Sequence, residues 1–299
     1  MKRIVTLVAA VLTAVGLTAA VLTACGSGDP LTGGDGKGAA QTVVVGSANF
    51  AESELLMEIY AEALRQAGVE VETRPRLGTR EITNVAVTDG SITVMPEYSG
   101  NLLRSFDRAA TATAPEEVYA ALQQALPGGL EVLEQSEAED SDVLVVTQQT
   151  SQSLGLTSMD QLGPVCGQLT LGADGVWPGR WKDKIAQVYG CTFRDILSTD
   201  AGGPVTLEAL ASGQAQVVNL FTTSPDVTAH GWVELADPRN MYPAQRILPL
   251  VRSGALTQAA VDALNNVSAA LTTEKLTELN RRVIEDRAAP ADLAKEFVG

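Results

Sequence analysis

The chain has 299 residues, of which 45% are hydrophobic and 4% aromatic, enough to build two core-bearing bodies. Its 21 basic residues stand against 36 acidic ones, a net charge of −15. That balance excludes a nucleic-acid footprint, which needs a basic stripe, so no nucleic-acid partner is expected.

In chain order, the opening segment is a targeting device. Lys2 and Arg3 precede an uncharged apolar stretch from Ile4 to Ala24, ending in Leu22-Thr23-Ala24-Cys25. A basic start, an apolar run and small residues before a break form a secretory signal over residues 1–24. Its removal with Lys2 and Arg3 takes the charge from −15 to −17. The last four residues resemble a bacterial lipobox, which would make Cys25 the lipidated mature N-terminus. The alternative is an uncleaved anchor helix with an incidental cysteine. The segment 25–41 holds six glycines and only Leu31 as a bulky apolar residue, the composition of a flexible tether. The expected location is the extracytoplasmic face of a bacterial cell membrane, through the lipid anchor.

The remaining chain alternates β-branched runs with helical periodicity. Thr42–Gly46 reads as a strand, and Glu52–Gln66 as a helix with Leu55, Leu56, Ile59 and Ala63 on one face. Val69–Thr73 is a short strand, Thr79 opens a helix carrying Ile82 and Val85, and Ser91–Met95 is a strand. A helix is expected from Pro115 through Leu126, then strands at Val143–Thr147, Leu169–Ala173, Gln216–Leu220 and Ile247–Val251. Helices close the chain, one with Val261, Leu264 and Val267 on a face, the next with Leu276, Leu279 and Val283. The pattern is that of an α/β protein with mostly parallel sheets. Cys166 and Cys191 form an even pair in an exported chain and are expected to be bridged, two free buried thiols being the alternative. With one histidine, His230, and no CxxC, no metal site is expected.

Two segments repeat. "AVTDGSITVMPEYSG" (Ala86–Gly100) aligns with "ALASGQAQVVNLFTT" (Ala209–Thr223) when Gly90 is set on Gly213. Tyr98 then meets Phe221 and Ser99 meets Thr222, so each unit ends a strand in an aromatic followed by a hydroxyl. Open α/β sheets bind ligands outside the carboxyl ends of their strands. Two such edges facing each other make a cleft that closes by a hinge, with Tyr98 and Phe221 as its walls.

"VVVGSANFAESELLMEIYAEAL", "RLGTREI", "VMPEYSGNLL" and "VVNLFTT", in this order, resemble the ProX/OpuAC-like glycine betaine/choline-type osmoprotectant-binding lipoproteins of bacterial ABC importers. The resemblance runs from about Thr42 to the end of the chain. It implies a bilobal periplasmic-binding-protein-like fold of type II, with residues 42–142 plus 246–299 as one lobe and 143–245 as the other. It also implies import of a small polar or quaternary-amine solute, with an ABC permease and ATPase as partners and no cofactor. In that family tyrosines cage a quaternary ammonium, which ring faces attract by about 2 kcal/mol when desolvated. Here Tyr98 matches one of them and Phe221 stands for another, whereas Asp142 replaces a tyrosine at the hinge and Leu207 a further one. Ala48 stands where some members carry a lysine, and Asn101 falls on a hydroxyl position. The loop "ADGVWPGRWKDK" looks about two residues shorter than its counterpart, so Arg180 has no secure match; Trp177 and Trp181 flank it as core, lid or cleft lining. The ligand is expected to touch Tyr98, Phe221 and Asp142, with Asn49, Phe50, Thr79, Asn101, Trp177 and Thr222 around it. Such a partial cage could hold a cation or a hydroxylated or uncharged solute.

An enzyme is the competing class. No G-x-S-x-G elbow, P-loop or HExxH occurs, and Glu116, Glu117, Glu137, Glu139 and Asp140 read as solvated or turn residues. A surface-adhesive lipoprotein shares the signal, cysteine and tether but not the paired strand edges.

Overall fold

The structure, a computed structural model, describes residues 42–299; the signal segment, Cys25 and the tether lie outside the described residues. In chain order the strands are β1 (Val43–Gly46), β2 (Val71–Arg74), β3 (Val94–Tyr98), β4 (Leu130–Val132) and β5 (Asp142–Val146). They continue with β6 (Thr170–Ala173), β7 (Asp195–Ser198), β8 (Val217–Phe221), β9 (Val233–Leu235) and β10 (Ile247–Arg252). Helices α1 (Ala51–Gln66), α2 (Arg80–Asp89), α3 (Ser99–Phe106), α4 (Pro115–Ala125) and α5 (Gln148–Leu154) fill the first half. The second half holds α6 (Trp177–Tyr189), α7 (Pro204–Ala211), α8 (Pro225–His230), α9 (Gln258–Ala270), α10 (Thr273–Ile284) and α11 (Pro290–Val298).

Two five-stranded sheets result, ordered β2-β1-β3-β10-β4 and β7-β6-β8-β5-β9. Strand for strand they follow one plan: β1 and β6 each pair in parallel with two neighbours, and β10 and β5 each run antiparallel between two others. The repeat seen in the sequence is therefore a repeat of topology. Gly90 and Gly213 both adopt left-handed φ, 87° and 76°, before the central strands β3 and β8. The sheets are not mostly parallel as expected. The reason is topological: β5 and β10 follow the two passages between sheets and enter against their neighbours.

β3 also runs further than its apolar residues indicate, through Pro96, Glu97 and Tyr98. β10 pairs with all five of its residues, Pro96 lying opposite Pro249. On its other side β3 meets β1 only at Val45 and Val94, so Pro96 forfeits no ladder bond there. Strands β4, β7 and β9, of three or four residues each, were too short for the periodicity to reveal.

Each sheet has its own cores. α1 packs on α9 and α11 and buries Leu55, Leu56, Ile59 and Leu64 completely, worth about 1.5–3 kcal/mol per side chain. On α6 the buried residues are Trp177, Trp181, Ile185 and Tyr189, an unbroken four-residue spacing that lays both tryptophans into the second core. Cys166 and Cys191 are bridged, with Cα atoms 5.3 Å apart and both residues buried. The bridge ties a short helical turn to the end of α6 and stabilises by about 3 kcal/mol in the chain-entropy model.

Gly100 is fixed by close approach rather than by its φ angle. Its N–H donates to the Ala244 carbonyl at 3.1 Å, and a Cβ there would lie 2.5 Å from that same oxygen. Gly100→Ala should therefore push α3 off the 243–245 passage and destabilise by about 1–3 kcal/mol, measured by urea unfolding. An unchanged midpoint would show that the two segments slide apart freely.

Candidate functional site

A cavity of about 780 Å³ opens between the two sheets, within the usual size of a small-molecule site. From the first body it is lined by Asn84, Asn101, Arg104 and Arg108, and from the second by Asp142, Asp174, Arg180, Trp181 and Phe221. Asp142 and Phe221 face each other in register at the ends of β5 and β8. Asn101 sits in the first turns of α3, where its N–H donates to the Gln245 side chain at 2.9 Å.

Asp142 accepts a 2.8 Å hydrogen bond from Asn219. Burial pushes its carboxyl up, and the Asn219 bond and Arg180 charge pull the other way. Asp174 caps its own turn, accepting from the Val176 and Trp177 N–H groups. Arg80 is committed to Glu97 at 3.0 Å. Glu97 is not a solvated strand-end acid: it is 3% exposed, and its carboxyl is raised by burial against the opposing pull of Arg80. Among the described residues, Arg104, Arg108 and Arg180 have no carboxylate within 4.0 Å.

Of the residues expected at the ligand, Asn101, Asp142 and Phe221 meet at this cavity. Tyr98 is a correction. It is 4% exposed, packs in the first core and donates its hydroxyl to Glu52 at 2.7 Å, because the start of α1 covers it. Trp177 is likewise core, its indole N–H donating to Asn219 and Tyr242. Phe50 lies against Tyr98 with ring centroids 5.9 Å apart, and the Asn49 N–H is spent on the Gly78 carbonyl; neither lines the cavity. Thr79 is exposed and bonded to Glu81. Thr222 lines a smaller cavity of about 370 Å³, and its hydroxyl ties Ser141 N–H to the Glu139 carbonyl.

Sequence reasoning missed Arg104, in the last turn of α3, and Arg108, just beyond it, because a lone exposed arginine at a helix end reads as solvated surface. It also missed a buried polar cluster between the bodies. Glu52 accepts from Tyr98 and Asn280, and beside it the Thr223 hydroxyl donates to Asp140 at 2.7 Å. Asp140 is therefore no solvated turn acid. Burial and then the Glu52 charge push its carboxyl well up, and burial pushes Glu52 up as well.

Two α/β bodies of one topology, joined by two passages and enclosing a cavity, define a bilobal solute-binding protein of the type II periplasmic class. The family described as the substrate binding domain of the ABC-type glycine betaine transport system matches residues 41–299, and the chain belongs to it. It is 27% identical over 278 residues to the glycine betaine-binding protein YehZ of Escherichia coli (strain K12), covering 87% of this chain and 90% of that protein. A glycine-betaine-binding protein of Pseudomonas aeruginosa is 23% identical over 281 residues, covering 88% and 89%. Among solved structures, a glycine betaine/carnitine/choline ABC transporter protein superposes with a TM-score of 0.79 at 19% identity, over 86% of this chain and 97% of that one. Apo YehZ from Escherichia coli superposes at 0.74 with 25% identity, over 87% and 98%.

A carboxyl whose native pKa lies above its unfolded value holds a proton that the unfolded chain has lost. Stability then falls as pH rises through and above the ordinary value, 3.8 for Asp140, by up to about 1.4 kcal/mol per pH unit for one proton. Asp140→Asn keeps the acceptor for Thr223 and removes that penalty. Its Tm should exceed the parent's at pH 7, by about 2–4 °C per kcal/mol relieved, and converge with it near pH 3.5. Parallel Tm curves from pH 3.5 to 7.5 would rule out an elevated Asp140.

Proposed function

We propose that this chain is the extracytoplasmic, lipid-anchored solute receptor of an ABC importer, taking one small polar or zwitterionic solute into the cleft and presenting it to a permease driven by an ATPase. The carrying observation is the 780 Å³ cavity lined from both sheets, in a chain matched over residues 41–299 by a substrate-binding family. Residues 42–142 with 246–299, and residues 143–245, act as the two lobes. Binding between them favours a closed arrangement by as much as the solute prefers it over the open one. The glycine betaine named for the relatives is the first solute to test, and a hydroxylated or uncharged solute is the alternative supported by Asn101 and Asn84 on the cavity wall.

Protein purified without extensive dialysis should retain one small organic molecule in native mass spectrometry, and adding it back should raise Tm by mass action. Asn101 is exposed and holds Gln245 through its backbone, so Asn101→Trp should fill the cavity and weaken retention at least about tenfold without unfolding the protein. Retention undiminished in that variant would put the solute elsewhere; no retained or stabilising solute at all would count against a receptor. Lipid anchoring is tested separately. Cys25→Ser should release the protein from membranes, and unchanged fractionation would mean that Ile4–Ala24 stays as an anchor.

A further inference from the structure

Whatever cation enters the cleft must be satisfied by what the cavity wall offers, and ring faces are nearly absent from it. A quaternary ammonium has no N–H, so its recognition depends on several aromatic faces around it. Here Tyr98 and Trp177 belong to the two cores, at 4% and 2% exposure, with their polar ends already bonded. Trp181 is present on the wall but its ring is taken. Arg104 lies 5.9 Å and Lys184 5.5 Å from its centroid, and Tyr242 stands edge-on at 5.0 Å. That leaves the half-buried rings of Phe106 and Phe221, too few to enclose a trimethylammonium group.

The same wall is rich in groups that need hydrogen-bonding charge. Asp142 stands at the end of β5 opposite Phe221, and among the described residues Asn219 is its one side-chain donor. A partly buried carboxylate with so few donors is costly, and a partner carrying N–H groups relieves it where methyl groups do not. For the opposite charge, Arg180 shares the wall with Asp142, while Arg104 and Arg108 approach from α3 and the residues after it. Among the described residues none of the three has a carboxylate partner of its own within 4.0 Å, and guanidinium forks suit a carboxylate bidentately.

Resting on the receptor reading above, we propose that the solute is a zwitterion whose cationic nitrogen keeps N–H donors, a primary or secondary amine or a guanidine, with Asp142 receiving the nitrogen and Arg180 the carboxylate. The cleft thus selects an unmethylated amino acid-like compound over its trimethylated counterpart.

Matched pairs that differ only in methylation test this: glycine against glycine betaine, and γ-aminobutyrate against its N-trimethyl derivative, each titrated by calorimetry into the full protein. The amine of at least one pair should bind ten times or more tightly than its trimethyl partner. Asp142→Asn should erase that preference, and Arg180→Gln should weaken both members alike. Equal or tighter binding of the trimethylated members overturns the proposal, as does a preference that survives Asp142→Asn. If neither pair binds while another solute is retained in an Asn101→Trp-sensitive way, the zwitterion assignment is overturned and the receptor reading stands. Loss of that retention as well removes both.

Discussion

The antiparallel contact between the two chain passages is the constraint on which the rest of the structure depends. Residues 136–142 lead out of the first sheet and residues 243–247 lead back, and they hydrogen-bond to each other on the way. Ser136 N–H donates to the Ile247 carbonyl, Ile247 N–H to Ala138, and Asp140 N–H to Gln245, at 2.8–3.2 Å. β5 and β10 leave this contact in opposite directions, each entering its sheet antiparallel to a central strand. That places the ends of β3 and β8 close to one point, and the cavity is the space beside it. The close fit of Gly100 to Ala244 belongs to the same contact, because α3 starts where the returning chain passes.

This geometry separates two polar environments that a sequence reader would merge. Asp140 and Asp142 are two residues apart. Asp140 turns into the cluster with Glu52, Thr223, Tyr98 and Asn280, where no arginine or lysine approaches within ion-pair distance among the described residues. Asp142, at the strand end, faces the cavity and feels Arg180. Alternation along an extended chain sends i and i+2 to the same side of a sheet, but Asp140 precedes the strand and escapes that rule. One acid therefore belongs to the joint and the other to the cavity wall.

Much of the fold was legible because its cause is local. The repeat around Gly90 and Gly213 reflects a left-handed residue that must precede each central strand, and glycine fills it with least strain. The α1 face and the Cys166–Cys191 pair follow from spacing and compartment, whereas the four-residue stripe of α6 goes unread because its segment reads as a loop. Asp142, Phe221 and Asn101 were legible as strand-end or helix-start residues of the two repeats. Tyr98 was not, although it is the topological equivalent of Phe221. Whether a strand-end ring meets solvent depends on what crosses above it, and Phe50 and Glu52, more than forty residues earlier, cover Tyr98. Arg104, Arg108 and Trp181 had the same defect as signals. Their roles depend on the approach of α3 to α6, a contact that no local pattern encodes.

The covering of Tyr98 has a mechanical consequence. Its hydroxyl and Asn280 from α10 converge on Glu52 within the first body, and beside them Thr223, just after β8, donates to Asp140 in the outgoing passage. Sliding the bodies past each other would strip these bonds and leave buried acids and hydroxyls unpaired, at about 1–3 kcal/mol per group. Thr222 and Thr223 thus hold the second body to the outgoing passage through Ser141, Glu139 and Asp140. Arg104, Arg108 and Arg180 take no part in these bonds; they are exposed and, among the described residues, have no carboxylate within 4.0 Å. Tyr98, whose repeat partner Phe221 lines the cavity, instead anchors a buried cluster beside the passages, and the cavity wall is left mainly to exposed charge.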